Sequence, residues 1–494
     1  MRLDDYRAEI DTIDKQITKL LEQRMQTVRN IGICKQTMGK PVLDASRENS
    51  KLETLKAQTD EDSYSYIAEI FKEIMAQSRR FQEDHKADYG LLGRTLGYSF
   101  SPQIHKSLGG YSYELFEVEP ENLKGFFENT ALKGFNVTIP YKKDVIKYCS
   151  SLSDAAQKTG SVNTIVRNPD GSFAGHNTDY YGLDYLIRSA GFEVSGAKII
   201  ILGNGGVSGT VRQLMKDSGA AEVVTISRKG EENYENISRH YDAEFVINTT
   251  PVGMYPDNGR AVIDITEFKS CRGVIDLIYN PIKTRLVMDA ENMGIPAEGG
   301  LKMLVAQAAG ACELFLGSKI SDEMIEAEYM RILRQVENII LIGMPGCGKS
   351  SIGERLAEIT GKSFADSDIK IIEQTGRSAE DIICSDGEEY FRRVETAVAK
   401  AEGAHTGCVI ATGGGVVTRE ENLDLLRQNG RIVYIKRSLE DLSSDGRPIS
   451  AANRIEDLFR QRKTAYESWS DFEAENTGIE ETAAKIAQQL GYGR

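Results

Sequence analysis

Asn338-Ile339-Ile340-Leu341-Ile342-Gly343-Met344-Pro345-Gly346-Cys347-Gly348-Lys349-Ser350 reads as a buried strand, a glycine turn and the start of a helix that continues through Ser351-Ile352-Gly353-Glu354-Arg355-Leu356. The turn completes the pattern G-x-x-x-x-G-K-[ST] in the strand-to-helix setting it requires. Backbone amides around Gly346, Gly348 and Ser351 would cradle phosphate, Lys349 would reach the β/γ oxygens of ATP and Ser350 would ligate Mg²⁺. The loop leaves the phosphoryl acceptor open, because switch proteins and motor ATPases share it. It opens an α/β unit expected over residues 337–494.

Upstream, Lys198-Ile199-Ile200-Ile201-Leu202 followed by Gly203-Asn204-Gly205-Gly206-Val207-Ser208-Gly209 is a second strand, glycine turn and helix start, where a pyrophosphate can meet backbone N–H groups. Ser208 stands where the strict fingerprint has Gly or Ala. The next strand ends in Ser227-Arg228-Lys229, with no acid to accept from a ribose 2′-hydroxyl and two cations able to meet a 2′-phosphate. That predicts NADP(H) rather than NAD. Short apolar strands alternate with helical stretches from Tyr89 to about Val336, an α/β pattern.

Residues 1 to about 86 contain one proline, Pro41, and read as helix. Leu3, Tyr6, Ile10, Ile13, Ile17 and Leu20 step by three and four, and the seam continues through Arg24, Val28, Ile31 and Lys35. Two cations therefore interrupt an apolar face. An unbroken helix to about Met38 would be roughly 50 Å long at 1.5 Å per residue, more than a domain of this size spans, so it should pack along a second copy. Arg7 lies roughly 25 Å from Arg24 along the axis and could serve only a partner's pocket.

The 494 residues suit about three domains. Lys and Arg number 60 against 74 Asp and Glu, leaving a net charge of −14, the wrong sign for a nucleic-acid or anionic-membrane binder. No stretch approaches the length of uncharged apolar chain that spans a bilayer, and the acidic start Met1-Arg2-Leu3-Asp4-Asp5 is unlike a secretory signal, so a cytoplasmic protein is expected. Seven scattered cysteines without a C-x-x-C pair read as small core residues.

Three resemblances give these blocks their chemistry. Arg7, Arg24, Lys35, Pro41-Val42-Leu43-Asp44-Ala45-Ser46-Arg47-Glu48 and Ser78-x-x-x-Gln82 resemble the all-helical chorismate mutases over residues 1–87. The resemblance implies a rearrangement of chorismate to prephenate. Arg24, Arg47 and the partner subunit's Arg7 would hold two carboxylates, Lys35 and Gln82 would donate to the ether oxygen, and Glu48 would take the hydroxyl, with Asp44 and Ser78 completing the site. A bifunctional dehydrogenase-kinase whose helical block only senses chorismate or prephenate, and dimerises, is the alternative.

Ser99-Phe100-Ser101-Pro102, Asn136-Val137-Thr138-Ile139-Pro140-Tyr141-Lys142, Val162-Asn163-Thr164, Asn177-Thr178-Asp179, Asn248-Thr249-Thr250-Pro251-Val252-Gly253-Met254 and Gly300-Leu301-Lys302-Met303-Leu304-Val305-Ala306-Gln307 resemble shikimate dehydrogenase over 88–336. The implied layout is a substrate lobe over about 88–190 plus 300–336 and a Rossmann NADP lobe over about 191–299. Lys142 and Asp179 would form the catalytic pair at the C3 oxygen of 3-dehydroshikimate. Ser99 and Ser101 would hold the carboxylate, Thr138, Asn163, Tyr279 and Gln307 would complete the pocket, and Thr249 and Gly300 would border the cofactor. Tyr98 and Lys106 replace the family's His and Asn.

Asp366-Ser367-Asp368, Phe391-Arg392-Arg393-Val394-Glu395, Gly413-Gly414-Gly415, Arg447-Pro448 and Arg462-x-x-x-Tyr466 make the last block resemble shikimate kinase. Asp368 would orient or deprotonate the shikimate 3-hydroxyl, Asp366 would support the metal, Arg392 and Arg462 would grip the carboxylate, and Gly414 and Gly415 would let backbone approach the ring. Arg447, on a lid, would neutralise the transferring phosphoryl group. The segment Ser438 to Gly446 lacks the arginine the family often places there for adenine.

Overall fold

The computed structural model describes residues 2–97, 99–442 and 455–492, in two compact units: 1–182 with 306–324, and 183–305 with 325–494. The expected order holds, with helices first and α/β architecture after them.

In the first unit, α1 (Leu3–Thr37), α2 (Ala45–Gln58) and α3 (Glu61–Asp84) form the helical block. Asp4 and Asp5 in the first turn of α1 and Lys35 in its last turn complement the helix dipole, and Gly39, with φ +63°, turns the chain out ahead of Pro41. Asp44 caps α2 by accepting from Arg47 N (3.0 Å), and Asp60 caps α3 by accepting from Ser63 N (2.8 Å). Leu3, Tyr6, Ile10, Ile13, Ile17 and Leu20 stay exposed, while Val28 is the single buried residue of α1. Beyond it α1 packs on the α/β lobe. Ile33 lies against that lobe's core, Arg29 pairs with Glu114, and Gln36 Nε2 donates to Ala87 O (2.8 Å).

That lobe is built on β1 (Tyr89–Gly93), β2 (Tyr113–Glu117), β3 (Gly134–Val137), β4 (Ser151–Leu152), β5 (Thr164–Arg167) and β6 (Phe173–His176) in the order β2-β1-β3-β5-β6-β4. The β2-β1-β3 half is parallel and the β3-β5-β6 part antiparallel. Leu92, Phe116, Phe135 and Ile165 are fully buried in its core.

The second unit holds two parallel sheets. One is β7 (Lys198–Leu202), β8 (Glu222–Ile226), β9 (Phe245–Asn248), β10 (Gly273–Asp276) and β11 (Ala297–Gly299), ordered β11-β10-β9-β7-β8. The other is β12 (Asn338–Ile342), β13 (Ser363–Asp366), β14 (Cys408–Ala411), β15 (Gly430–Lys436) and β16 (Phe472–Glu475), ordered β13-β14-β12-β15-β16. β7 and β12 occupy the residues read from sequence. Each has neighbours on both sides, so the glycine turn at its C-terminal end opens where the strand order reverses, the crevice in which such sheets bind ligands. Their near-continuous Ile and Leu runs follow from burial on both faces.

The cysteines depart from expectation. Cys271, Cys312, Cys347 and Cys408 are buried, but Cys34 and Cys384 are exposed and Cys149 is half-buried. Cys34 lies on α1, whose single buried residue is Val28, and Cys384 on the short helix Ala379–Asp386, of which only Ile382 is buried. Among the described residues, no helix is long and apolar enough to cross a membrane.

Candidate active sites

In the helical block α1 and α3 bring together residues 54 apart: Arg24 Nη1 donates to Ser78 Oγ, and Ser78 in turn donates to Ile74 O. Gln82, one turn beyond Ser78, is buried, and its Oε1 has no hydrogen-bond partner. Its methylene stem lies against Gly32, where a Cβ would sit 3.2 Å from Gln82 Cγ. Lys35 is half-buried and donates to Val42 O, tying the α1 C-terminus to the α1–α2 turn. Glu48 is held by Arg79 from α3, a cation that sequence reading did not single out. Arg47 and Asp44 are exposed at the start of α2. Arg7 sits on the exposed stretch, paired with Asp4 (3.1 Å).

In the α/β lobe of the same unit Lys142 Nζ donates to Asp179 Oδ2 (2.6 Å), and Asn163 Nδ2 donates to Asp179 Oδ1 (2.9 Å). Asn163 is fixed in turn, its Oδ1 accepting from Thr178 N (2.7 Å) at the start of the helix Thr178–Ser189. Behind them runs a chain of hydrogen bonds that the sequence motifs do not reveal. Tyr113 Oη donates to Asn136 Oδ1 (2.8 Å), and Asn136 Nδ2 donates to Thr164 Oγ1 (2.9 Å). Ser101 is buried and its N–H donates to Ser99 Oγ (3.2 Å); Thr138 and Gln307 are half-buried. His105, fully buried and stacked on Tyr113, is driven down to about 3 by burial and stays neutral. Tyr98 lies outside the described residues.

In the second unit the β7 turn borders a cavity of about 1040 Å³, lined by Gly203, Gly205, Ser227, Arg228, Lys229 and Thr249 from the sequence expectation and by Asn204, Tyr234 and Thr250 besides. Gly203 has φ +100°, and a Cβ there would meet Thr250 Cγ2 at 2.7 Å, so only glycine lets the turn close. Thr249 Oγ1 donates to Leu202 O (2.8 Å). Val207 caps the helix Ser208–Asp217, whose first residue Ser208 donates to Gly205 O (2.9 Å); Gly206 completes the turn. Two surface cations at the mouth of a roomy crevice fit a phosphorylated ribose. Tyr279 is 39% exposed, and buried Gly300 follows β11.

The β12 turn borders a cavity of about 470 Å³ that gathers Gly346, Gly348, Lys349, Ser350, Ser351, Asp366, Asp368, Arg392, Gly414, Gly415 and Arg462. Lys349 Nζ donates to Gly343 O (2.9 Å) and Met344 O (3.0 Å), curled over its own loop. Ser350 Oγ donates to Asp366 Oδ2 (2.5 Å), whose other oxygen caps the next helix at Asp368 N (2.9 Å). One hydroxyl and one carboxylate suit Mg²⁺, which keeps waters and phosphate oxygens in its shell rather than needing a protein cage. Arg392, 6% exposed, donates to Glu395 (2.7 Å) and Glu388 (3.0 Å). A Cβ on Gly415 would lie 1.9 Å from Arg392 Nη1, so the glycine makes room for the guanidinium. Arg462 Nη1 donates to Gly414 O (3.0 Å). Glu395 and Arg437 also line the cavity and were not anticipated as site residues. Burial raises the Glu395 carboxyl, Arg392 opposes that, and nearby Asp368 adds to it. Arg447 lies outside the described residues.

The chorismate mutase type II model matches residues 6–83, the shikimate dehydrogenase substrate binding domain residues 91–165, and shikimate kinase residues 345–491. The shikimate dehydrogenase (NADP(+)) of Clostridium beijerinckii is 36% identical over 261 residues, 49% of this chain and 96% of that protein. The chain belongs to the shikimate dehydrogenase family. The chain is a fusion, with a chorismate mutase domain before the dehydrogenase and a shikimate kinase domain after it. It converts chorismate to prephenate, reduces 3-dehydroshikimate with NADPH, and phosphorylates shikimate with ATP; the mutase match carries that reading over a bare ligand sensor. The enzyme of Methanococcus maripaludis is 34% identical over 256 residues, 47% of this chain and 91% of that one. A solved chorismate mutase/shikimate 5-dehydrogenase fusion protein from Clostridium acetobutylicum is 33% identical, covering 49% of this chain and 96% of its own at a TM-score of 0.47.

Proposed function

We propose that each reaction is carried by the residues singled out above, in three separate centres within domains spanning 1–87, 88–336 and 337–494. In the dehydrogenase, Lys142 and Asp179 handle the proton at the C3 oxygen while Asn163 keeps the carboxylate turned toward the lysine. NADPH supplies the hydride when bound, held by the Gly203–Ser208 turn with Arg228 and Lys229 at its 2′-phosphate. Ser99, Ser101, Thr138 and Gln307 orient the ring.

In the kinase, Lys349 leaves its loop carbonyls for the nucleotide phosphates, Ser350 and Asp366 hold Mg²⁺, Asp368 takes the 3-hydroxyl proton, and Arg392 with Arg462 grips the carboxylate. In the mutase, Arg24 and Arg47 hold the dianion, and Lys35 and Gln82 meet the charge that grows on the ether oxygen. For this Gln82 would turn its Nε2, which in the free protein donates to Ser78 O (3.3 Å), toward the ligand. The exposed apolar seam of α1 packs on a second copy, and the partner subunit's Arg7 completes the site. The assembly is cytoplasmic.

The observation that carries the reading is the Lys142–Asp179–Asn163 cluster, assembled at 2.6 and 2.9 Å from three separate motifs. Asp179→Asn tests it. Shikimate binding should persist in calorimetry while dehydrogenase kcat falls by about 10²–10⁴. An Asp179→Asn enzyme with normal kcat overturns the assignment.

A further inference from the structure

The loop 251–262 follows β9, and its two limbs, Pro251-Val252 and Ala261-Val262, line the cavity at the β7 turn. The limbs bear on each other. At Gly253, with φ +99°, a Cβ would lie 3.1 Å from Arg260 O and 3.5 Å from Thr284 Cβ, so a shift at the tip of the loop is passed to both limbs. The base is held by its own lobe. Thr250 Oγ1 donates to Asn248 Oδ1 (2.8 Å) and accepts from Val252 N (3.2 Å), and Tyr255 N donates to Asn280 O (3.3 Å).

The tip is held by the kinase domain, within the same compact unit. Asn258 Nδ2 donates to Gln428 Oε1 (2.5 Å), and Tyr255 buries its hydroxyl beside Asn429. Gln428 and Asn429 form the turn between the helix Glu421–Arg427 and β15, and they are 3% and 1% exposed. Both are fixed from the kinase side: Gln428 Nε2 donates to Leu425 O (3.0 Å), and Asn429 Nδ2 donates to Gly403 O (3.2 Å). The same turn also takes the segment on which the loop rests, between Asn280 and Thr284. There the Gln428 carbonyl accepts from Lys283 N (2.8 Å), and Asn429 Oδ1 accepts from Ile282 N (2.9 Å). A rigid, buried turn of one domain therefore anchors a surface loop of another. A cavity wall ordered in advance spares the ligand the cost of ordering it, which otherwise falls on binding.

We propose that Gln428 of the kinase domain is a positioning residue for NADP(H), holding the 251–262 loop as a wall of the cofactor crevice. The kinase domain thereby raises the affinity of the dehydrogenase for a cofactor that phosphorylation does not use. The proposal rests on the assignment of this crevice to NADP(H).

The test measures NADPH binding to the full chain directly, by the fluorescence of the bound cofactor, beside steady-state rates. Asn258→Ala and Gln428→Ala should each raise the NADPH Kd about threefold to tenfold, the worth of one hydrogen bond, and raise KM for NADPH in step, while dehydrogenase kcat and the kinase rate stay within about twofold of wild type. Asn258 is half-buried on a loop, so its variant keeps the proposal falsifiable if Gln428→Ala fails to fold. The double variant should bind NADPH within about twofold of the weaker single variant, because both changes remove the same bond. Arg228→Ala, at the mouth of the crevice, separates the two assignments. If it raises the NADPH Kd while either Asn258→Ala or Gln428→Ala leaves Kd at the wild-type value, even with a lowered melting temperature, the positioning role is overturned; a double variant in which the two effects multiply overturns it as well. An unchanged Kd in Arg228→Ala instead overturns the assignment of the crevice to NADP(H).

Discussion

Replacing Arg392 with methionine separates what its guanidinium does for shikimate from what it does for the kinase fold. The side chain is 6% exposed and bonded to Glu395 and Glu388, with Glu395 itself 2% exposed. Two charge-assisted bonds to a substrate carboxylate are worth about 3 kcal/mol together, so kinase kcat/KM for shikimate should fall roughly a hundredfold. The fold should weaken as well. Glu395 loses its cation while facing Asp368, and breaking such a buried pair costs about 3–5 kcal/mol before relaxation. Burial already raises the Glu395 carboxyl, and losing Arg392 raises it further, so the folded variant binds a proton that the unfolded chain has released. Its deficit should therefore deepen as pH rises and ease in acid. Arg392→Met with Glu395→Gln removes the orphaned charge and should recover most of the stability but none of the activity. ADP release at saturating ATP, with thermal melts at several pH values, reads both. A single variant with shikimate KM within twofold of wild type, or a double variant that regains activity, refutes the clamp.

Burial lifts the Asp276 carboxyl from 3.8 to about 6, so stability from this group is present in acid and lost as pH rises through that window, a cost on the order of 2–3 kcal/mol at neutrality. Asp276→Asn should raise the melting temperature at pH 7 relative to wild type and lose that advantage near pH 4; an equal difference at both refutes it. Ile13→Asp, on the exposed seam, should halve the mass in analytical ultracentrifugation and abolish mutase turnover, while a wild-type mass refutes pairing through α1. Asp366→Ala should raise the Mg²⁺ concentration for half-maximal kinase activity about tenfold, and an unchanged metal titration removes Asp366 from the metal site.

What was legible in the sequence was what local pattern encodes. The Ile-rich runs of β7 and β12, buried on both faces, and the glycine turns behind them carry their own signal, and so does the long period of α1. Partners brought in by tertiary packing carry none. Arg79 reaches Glu48 across two helices, Glu395 turns inward one helical turn from Arg392, and Asn136 joins Tyr113 to Thr164 through the sheet. Glu395 stands inside a quoted motif, and its i,i+3 spacing to Arg392 was the available clue. Arg437 follows β15 and donates to Gly346 O (3.4 Å), a proximity created only when β15 pairs with β12. The exposed cysteines show the same limit from the other side, since composition places a residue type and packing places the residue.

The most direct test of three independent centres in one chain is a grid: chorismate turnover, NADPH oxidation with 3-dehydroshikimate and shikimate phosphorylation, each measured on the intact protein and on Arg24→Ala, Lys142→Ala and Arg392→Ala. The account predicts that each variant loses one activity and keeps the other two. A variant that keeps its own reaction at the wild-type rate contradicts it.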